Sequence, residues 1–184
     1  KQLRRISIYL TELFKQQQWS GILIANPFNP NYKKFQPDSI LLYDNGLIII
    51  DLKVYSGTIQ VPDSSKKFQK EPWYITTVSE KVEVKGGNRN KNPFDQLKNY
   101  RQEMFQIIED NSDLKKIIKA NRICILNIFS GPIQLSDNIP GDVPYYDCVD
   151  EAGLGNFLVD YVSNNRYNKK AAKALLSVFP ALKY

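Results

Sequence analysis

The chain contains no histidine, and that absence removes more chemistry than any other feature of its composition. Serine–histidine and cysteine–histidine catalysis are excluded, together with histidine acid/base transfer. Only two cysteines are present, Cys124 and Cys148, far apart and each in an apolar, strand-like run, so the usual zinc sites are excluded as well. Those thiols suit buried positions in a reducing, cytoplasmic setting better than a disulfide framework. No apolar run approaches the ~20 residues of a membrane helix. Lys1-Gln2-Leu3-Arg4-Arg5 is followed by no continuous apolar segment and no cleavage site, so no secretory signal is expected. Because the first residue is not methionine, the chain is read as a piece of something longer. What remains for chemistry is carboxylates, lysine and oxygen-loving cations such as Mg²⁺ or Mn²⁺.

The 184 residues suit one medium domain over 1–184, with 42% hydrophobic and 24% charged residues in the ordinary globular range. Net charge is +6, from 25 basic and 19 acidic residues, which favours a polyanionic partner. Its distribution is uneven. Lys81, Lys85, Arg89, Lys91, Lys98 and Arg101 face only Glu83 and Asp95 over 81–101, whereas 137–160 holds six acids and no base. One side should attract phosphate, and the acidic side should serve as scaffold.

Asp38 to Lys53 organises the rest. Two apolar runs flank Asn45-Gly46, a pair suited to the positive φ angles of a type I′ turn, and predict a hairpin. With Asn45 and Gly46 as the turn centre, Ile40 lies opposite Asp51 and Asp38 opposite Lys53. Strand alternation then gathers Asp38, Asp51 and Lys53 on one face at the open end of the hairpin. The diagonal Asp38–Asp51 pair would stand roughly 7–8 Å apart at the backbone, within reach of one divalent cation. A plainer alternative is an Asp38–Lys53 ion pair with Asp51 facing water. A charge at the end of an isoleucine run is costly unless paired or metal-bound, and the second carboxylate favours the metal.

Pro37-Asp38 followed by Asp51-Leu52-Lys53 resembles the Pro-Asp…Asp/Glu-x-Lys pattern of the PD-(D/E)xK nuclease superfamily. More narrowly, Asp38, then 47–57 through Ser56-Gly57, then Trp73 and Asn92-Pro93 with Gln96, resemble the nuclease-related domain, NERD, over roughly Leu3 to Ile108. The resemblance implies an α/β, restriction-endonuclease-like core with a mixed central sheet flanked by helices. It further implies that Asp38, Asp51 and the Leu52 carbonyl bind Mg²⁺ or Mn²⁺, with Glu12 of the first helix contributing directly or through water. Lys53 would hold and help deprotonate the attacking water. Gln96 and Tyr100, four apart on one helix face, look like a Gln-x-x-x-Tyr motif that orients the catalytic groups. At Thr11-Glu12 the chain departs from the Gly-Glu of many members. The implied activity is hydrolysis of DNA to 5′-phosphate and 3′-hydroxyl ends, with RNA left open and a helicase or ATPase domain expected in the full-length protein. A catalytically inactive nucleic-acid-binding module is the alternative.

The remaining elements follow from periodicity and breakers. A helix is expected over Leu3 to Gln17, strands at 21–25, 58–61, 73–78 and 82–85, and a bend at Gly57, the sheet being extended through 54–61. A Lys-rich turn is expected around Lys66, Lys67 and Lys70, and a turn at Gly86-Gly87-Asn88. Asn92-Pro93 caps and opens the next helix. A short basic helix, a buried strand at 123–129, a strand at 143–149 and helices at 153–161 and 169–179 complete the chain. Lys33, Lys34, Lys85, Arg89, Lys91 and Lys98 are the expected nucleic-acid contacts, the first two in an aromatic, breaker-rich loop just before the hairpin.

Overall fold

A computed structural model of the chain describes residues 1–76, 80–87 and 90–180. Apolar residues at helical spacing fold Gln2–Gln17 into α1, which buries Ile6, Leu10 and Leu13. Gly21–Ala25 (β1), Ser39–Tyr43 (β2) and Gly46–Lys53 (β3) follow, then Gly57–Gln60 (β4), Ser65–Lys70 (α2), Trp73–Thr76 (β5) and Lys81–Val84 (β6). Pro93–Asp110 (α3) and Ser112–Ile117 (α4) lead into Cys124–Phe129 (β7), Ile133–Leu135 (β8) and Tyr146–Asp150 (β9). Leu154–Asp160 (α5) and Lys169–Val178 (α6) come last.

The five-stranded sheet has the order β1-β2-β3-β7-β9. Its first three strands are antiparallel, while β3, β7 and β9 run parallel. Parallel neighbours need a long crossover, and α3 with α4 lies within the one from β3 to β7. A second sheet of order β6-β5-β4-β8 pairs β4 and β8 in parallel and the rest antiparallel. The protein is thus mixed α/β, with two mixed sheets flanked by helices. Alternation sorts the main sheet into two cores. Leu41, Ile48, Ile50, Leu126 and Ile128 pack with α1 and α5, while Ile40, Ile49, Ile125 and Phe129 pack with Leu97 and Met104 of α3. The second core also takes in Leu175 and Phe179 at the C-terminal end. Each such buried aliphatic side chain contributes about 1.5–3 kcal/mol, so the sheet is held firmly between its helices.

The hairpin forms with a different turn from the expected one. Tyr43 pairs with Gly46 and Ile40 with Ile49, so the two-residue turn is Asp44-Asn45, and neither Asn45 nor Gly46 has positive φ. Tertiary contacts select this turn. Asp44 accepts the Ser20 N–H at 2.8 Å, and Asn45 donates to the Leu158 carbonyl at 3.2 Å and accepts from the Ser163 N–H at 2.7 Å. Gly46 is needed for space, since a Cβ there would stand 2.4 Å from the Tyr161 ring.

Other expectations also shift. The chain leaves the main sheet after Lys53 and enters the second at Gly57, φ +108°, so 54–61 does not extend the first sheet. The Lys66–Lys70 turn is the helix α2, closed around buried Phe68. Strand β8 is not among the expected elements, and the last strand begins at Tyr146 because Val143 to Tyr146 form a turn, closed by the Tyr146 N–H on the Val143 carbonyl at 3.1 Å. Thr77, Val78, Asn88 and Arg89, which the sequence assigns to a strand, a turn and a phosphate contact, lie outside the described residues. No helix among the described residues is long and apolar enough to cross a membrane.

Candidate active site

β3 ends in two buried charges. Asp51 is 4% and Lys53 8% exposed, and their side chains share the α3 face of the sheet with Ile49. Lys53 Nζ lies 2.8 Å from Asp51 Oδ2. The plainer alternative of the sequence is therefore corrected: Lys53 pairs with Asp51, not Asp38, and Asp51 does not face water. Because the turn is Asp44-Asn45, the register brings Asp38 level with Asp51, one step beyond the Ser39–Ile50 pair. The expected Asp38–Lys53 and Ile40–Asp51 pairings are replaced, but the shift is an even one and all three ionisable groups keep their common face.

Helix α3 supplies the clamp. Asn92 caps it by accepting from the Asp95 N–H at 2.8 Å, and its amide donates to the carbonyls of Phe68 at 2.9 Å and Glu71 at 2.7 Å. This fixes the first turn of α3, from which Gln96 reaches the end of β3. Gln96 Oε1 accepts from Lys53 Nζ at 2.7 Å, while Nε2 donates to Asp51 Oδ1 at 3.0 Å and to the Tyr100 hydroxyl at 3.1 Å. The amide has one workable orientation, oxygen to ammonium and nitrogen to carboxylate. Gly87, φ +73°, passes over this amide so closely that a Cβ would stand 3.2 Å from Nε2.

A further arm comes from the parallel neighbour. Asn127 of β7 is fully buried and donates to Asp51 Oδ2 at 3.2 Å, while the buried Tyr146 hydroxyl of β9 donates to Asn127 Oδ1 at 2.9 Å. Neither residue is among the site residues expected from sequence. The available signal is Asn127 itself, the one polar residue inside the apolar run 123–129. Asn127→Leu should leave the Tyr146 hydroxyl without its acceptor, at about 1–3 kcal/mol, and take one donor from Asp51, which keeps Lys53 and Gln96. Urea unfolding checks this, and Tyr146→Phe should lose less.

Burial raises the Asp51 carboxyl; Lys53 draws it back down and Asp38 pushes it up, leaving it at about 6. Burial, with the nearby Asp51 and Asp38, also raises the Tyr100 hydroxyl, which therefore keeps its proton.

The donor set fits a hydrated hard cation. Asp38 is half-buried and uses Oδ2 to accept the Leu52 N–H at 2.6 Å, and Oδ1 takes no hydrogen bond among the described residues. Among the same residues no group of three or more histidine, cysteine or carboxylate side chains converges on a metal position. Two carboxylates beside a strand-end backbone suit Mg²⁺ or Mn²⁺, which retain several waters, and do not suit a closed protein cage.

Glu12 is not brought to this site. It is exposed and pairs with Lys15 at 3.3 Å, on the helix that covers the opposite face of the sheet. The Gln2 end of α1 reaches the Ile128 carbonyl, level with Leu52, so Glu12 lies about 15 Å along the helix, toward the hairpin turn. The expected metal role of Glu12 is corrected on both counts.

The basic residues divide. Lys33 and Lys34 are exposed and line a cleft of about 440 Å³ that Tyr100 and Asn99 of α3 border on the other side. Lys85 and Lys91 are exposed at the two ends of the loop over Gln96. Lys98 is half-buried and donates one Nζ–H to Gln69 Oε1 at 2.8 Å, a link between α3 and α2. Arg101 stacks on Phe105 and Tyr145 and donates to the carbonyls of Ile123 and Asn121, so it clasps the scaffold.

Comparison with known protein families finds the nuclease-related domain matching residues 3–127. Comparison with curated proteins and with solved structures finds no match.

Proposed function

Since the chain belongs to the nuclease-related domain family, whose substrate is nucleic acid, we propose that it is a metal-dependent nuclease hydrolysing phosphodiester bonds of DNA. The observation that carries this reading is the closed hydrogen-bonded set of Asp51, Lys53 and Gln96 at the end of β3, with Asp38 alongside. In it Asp38, Asp51 and the Leu52 carbonyl hold Mg²⁺ or Mn²⁺. The bound cation supplies Lewis acidity toward the scissile phosphate and a lowered pKa for water.

The protein's own groups do the rest. Lys53 has three N–H bonds, of which Asp51 and Gln96 engage two, so the third is left to hold the attacking water or a phosphate oxygen. Its charge offsets that of the pentacovalent transition state from a fixed position, which avoids reorganisation during reaction. Gln96 keeps the ammonium and the carboxylate at their spacing. Tyr100, a retained O–H donor beside Gln96, offers its proton to a non-bridging oxygen. An inactive binding module has less support, because Asp51, Lys53, Gln96 and Tyr100 are present and held by mutual bonds, with Asp38 fixed beside them on the Leu52 N–H.

The test is incubation of labelled single-stranded DNA, duplex DNA and RNA with Mg²⁺ or Mn²⁺ against EDTA. Cutting of DNA only with the cation is the expected result, and binding without cutting would move the reading to the inactive module. Neutralising Lys85, Arg89 and Lys91 together should flatten the salt dependence of DNA binding by roughly 0.7–0.9 in log–log slope for each phosphate no longer neutralised. An unchanged slope would make this segment a solvated face.

A further inference from the structure

We propose that the cleft beside the catalytic cluster seats one unpaired nucleotide next to the scissile bond, so that the chain selects single-stranded DNA over an intact duplex. This rests on the nuclease reading above.

Position is the first support. Tyr100 belongs to both places: it borders the cleft, and its hydroxyl takes the Gln96 amide that holds Asp51. A nucleotide in the cleft is therefore one side chain away from the reacting phosphate. Size is the second. About 440 Å³ lies in the range of small-ligand sites and has room for one nucleotide.

The wall chemistry is the third. Lys33 and Lys34 are exposed on the loop that lines the cleft and make no ion pair among the described residues, which suits a phosphate. Helix α3 contributes the side-chain amides of Asn99 and Gln102, and Gln36 adds another from the loop. Asn99 donates to Asn90 Oδ1 at 2.7 Å, which braces it and leaves its own Oδ1 as an acceptor. Amides present a donor and an acceptor together, the complement of a base edge. Glu103, also in the lining, accepts from exocyclic amino groups and repels phosphate, which sets the strand's direction with its base toward α3 and its phosphate toward the lysines. A base must leave its stack to enter the cleft, which is costly in a duplex and least so in a single strand. The loop bearing Lys33 and Lys34 would then contact the backbone of a separated strand, as single-strand grooves do.

The experiment is fluorescence anisotropy with the Lys53→Met chain in EDTA, comparing a short labelled strand that cannot self-pair with a blunt hairpin that carries the same sequence in its stem and a non-nucleotide linker as its loop. The strand should bind at least about tenfold tighter, the scale of one or two base contacts. Asn99→Ala with Gln102→Ala in the same background should remove that preference and leave hairpin affinity unchanged. A strand of abasic residues, which needs no protein variant, should also lose it. Equal affinity for strand and hairpin would overturn the proposal, and so would a preference that survives both the double variant and the abasic strand. Catalysis is read separately with the wild-type chain and Mn²⁺. Cutting without strand preference removes the cleft proposal alone, whereas strand preference without cutting removes the nuclease reading alone.

Discussion

Lys53→Met is expected to slow phosphodiester cleavage about a hundred- to a thousandfold, the scale seen when a preorganised donor at a transition state is removed. Methionine fills much the same volume, so the packing under α3 should survive. Two changes follow from the geometry. The third Nζ–H no longer reaches water or phosphate, and Gln96 Oε1 is deprived of the ammonium that fixes its amide. Asp51 then keeps only the Gln96 and Asn127 amides as donors. Since Lys53 is what draws this carboxyl down, its removal should raise Asp51 further above about 6. A protonated Asp51 is a neutral buried group, so the variant should fold. Single-turnover cleavage and thermal unfolding of the same sample separate the two effects, and loss of both would mean that the lysine is a structural pillar.

Asp51→Asn should abolish cleavage and also reveal what the carboxylate costs the fold. The folded state raises Asp51 from 3.8 to about 6, so it favours the protonated form. A raised carboxyl contributes stability that is fully present below 3.8 and is lost as pH rises through about 6. The shift corresponds to about 3 kcal/mol, or several degrees in Tm for a chain of this length. Asparagine does not titrate. In the absence of divalent cations, Tm of the wild-type chain relative to Asp51→Asn should therefore fall as pH rises from about 4 to 7. Mn²⁺ at pH 8 should raise Tm of the wild-type chain and not of the variant, because a ligand stabilises only the state that binds it. A pH-independent difference would mean that Asp51 is not buried as a charged group.

How much was legible in the sequence depends on whether local chemistry decided the feature. Strands β2 and β3, the capped start of α3 and the buried strand β7 were legible, because alternation, an Asn-Pro cap and a continuous apolar run act within a few residues. The convergence of Asp38, Asp51 and Lys53 was legible too. It survived a wrong turn only because the register moved by an even step. The turn itself was decided by Ser20, Leu158, Ser163 and Tyr161, none of them near it in sequence. The same non-locality hid Asn127 and Tyr146, whose role depends on strand order, and it misplaced Glu12, since a helix pattern does not say which face of a sheet it will cover. Lys98 read as a phosphate contact by charge alone, and Arg101 counted toward the basic segment, yet each has a partner supplied by a distant segment.

Asp38, Asp51 and Lys53 are proposed to form one metal-dependent hydrolytic centre. Its most direct test is the cleavage rate of one labelled DNA strand across a Mn²⁺ titration, run with the wild-type chain, Asp38→Asn, Asp51→Asn and Lys53→Met. The expected result is a wild-type rate that saturates with Mn²⁺ and vanishes in EDTA, with all three variants at background. Cutting that persists in EDTA, or a Lys53→Met chain that cuts at the wild-type rate, would contradict it.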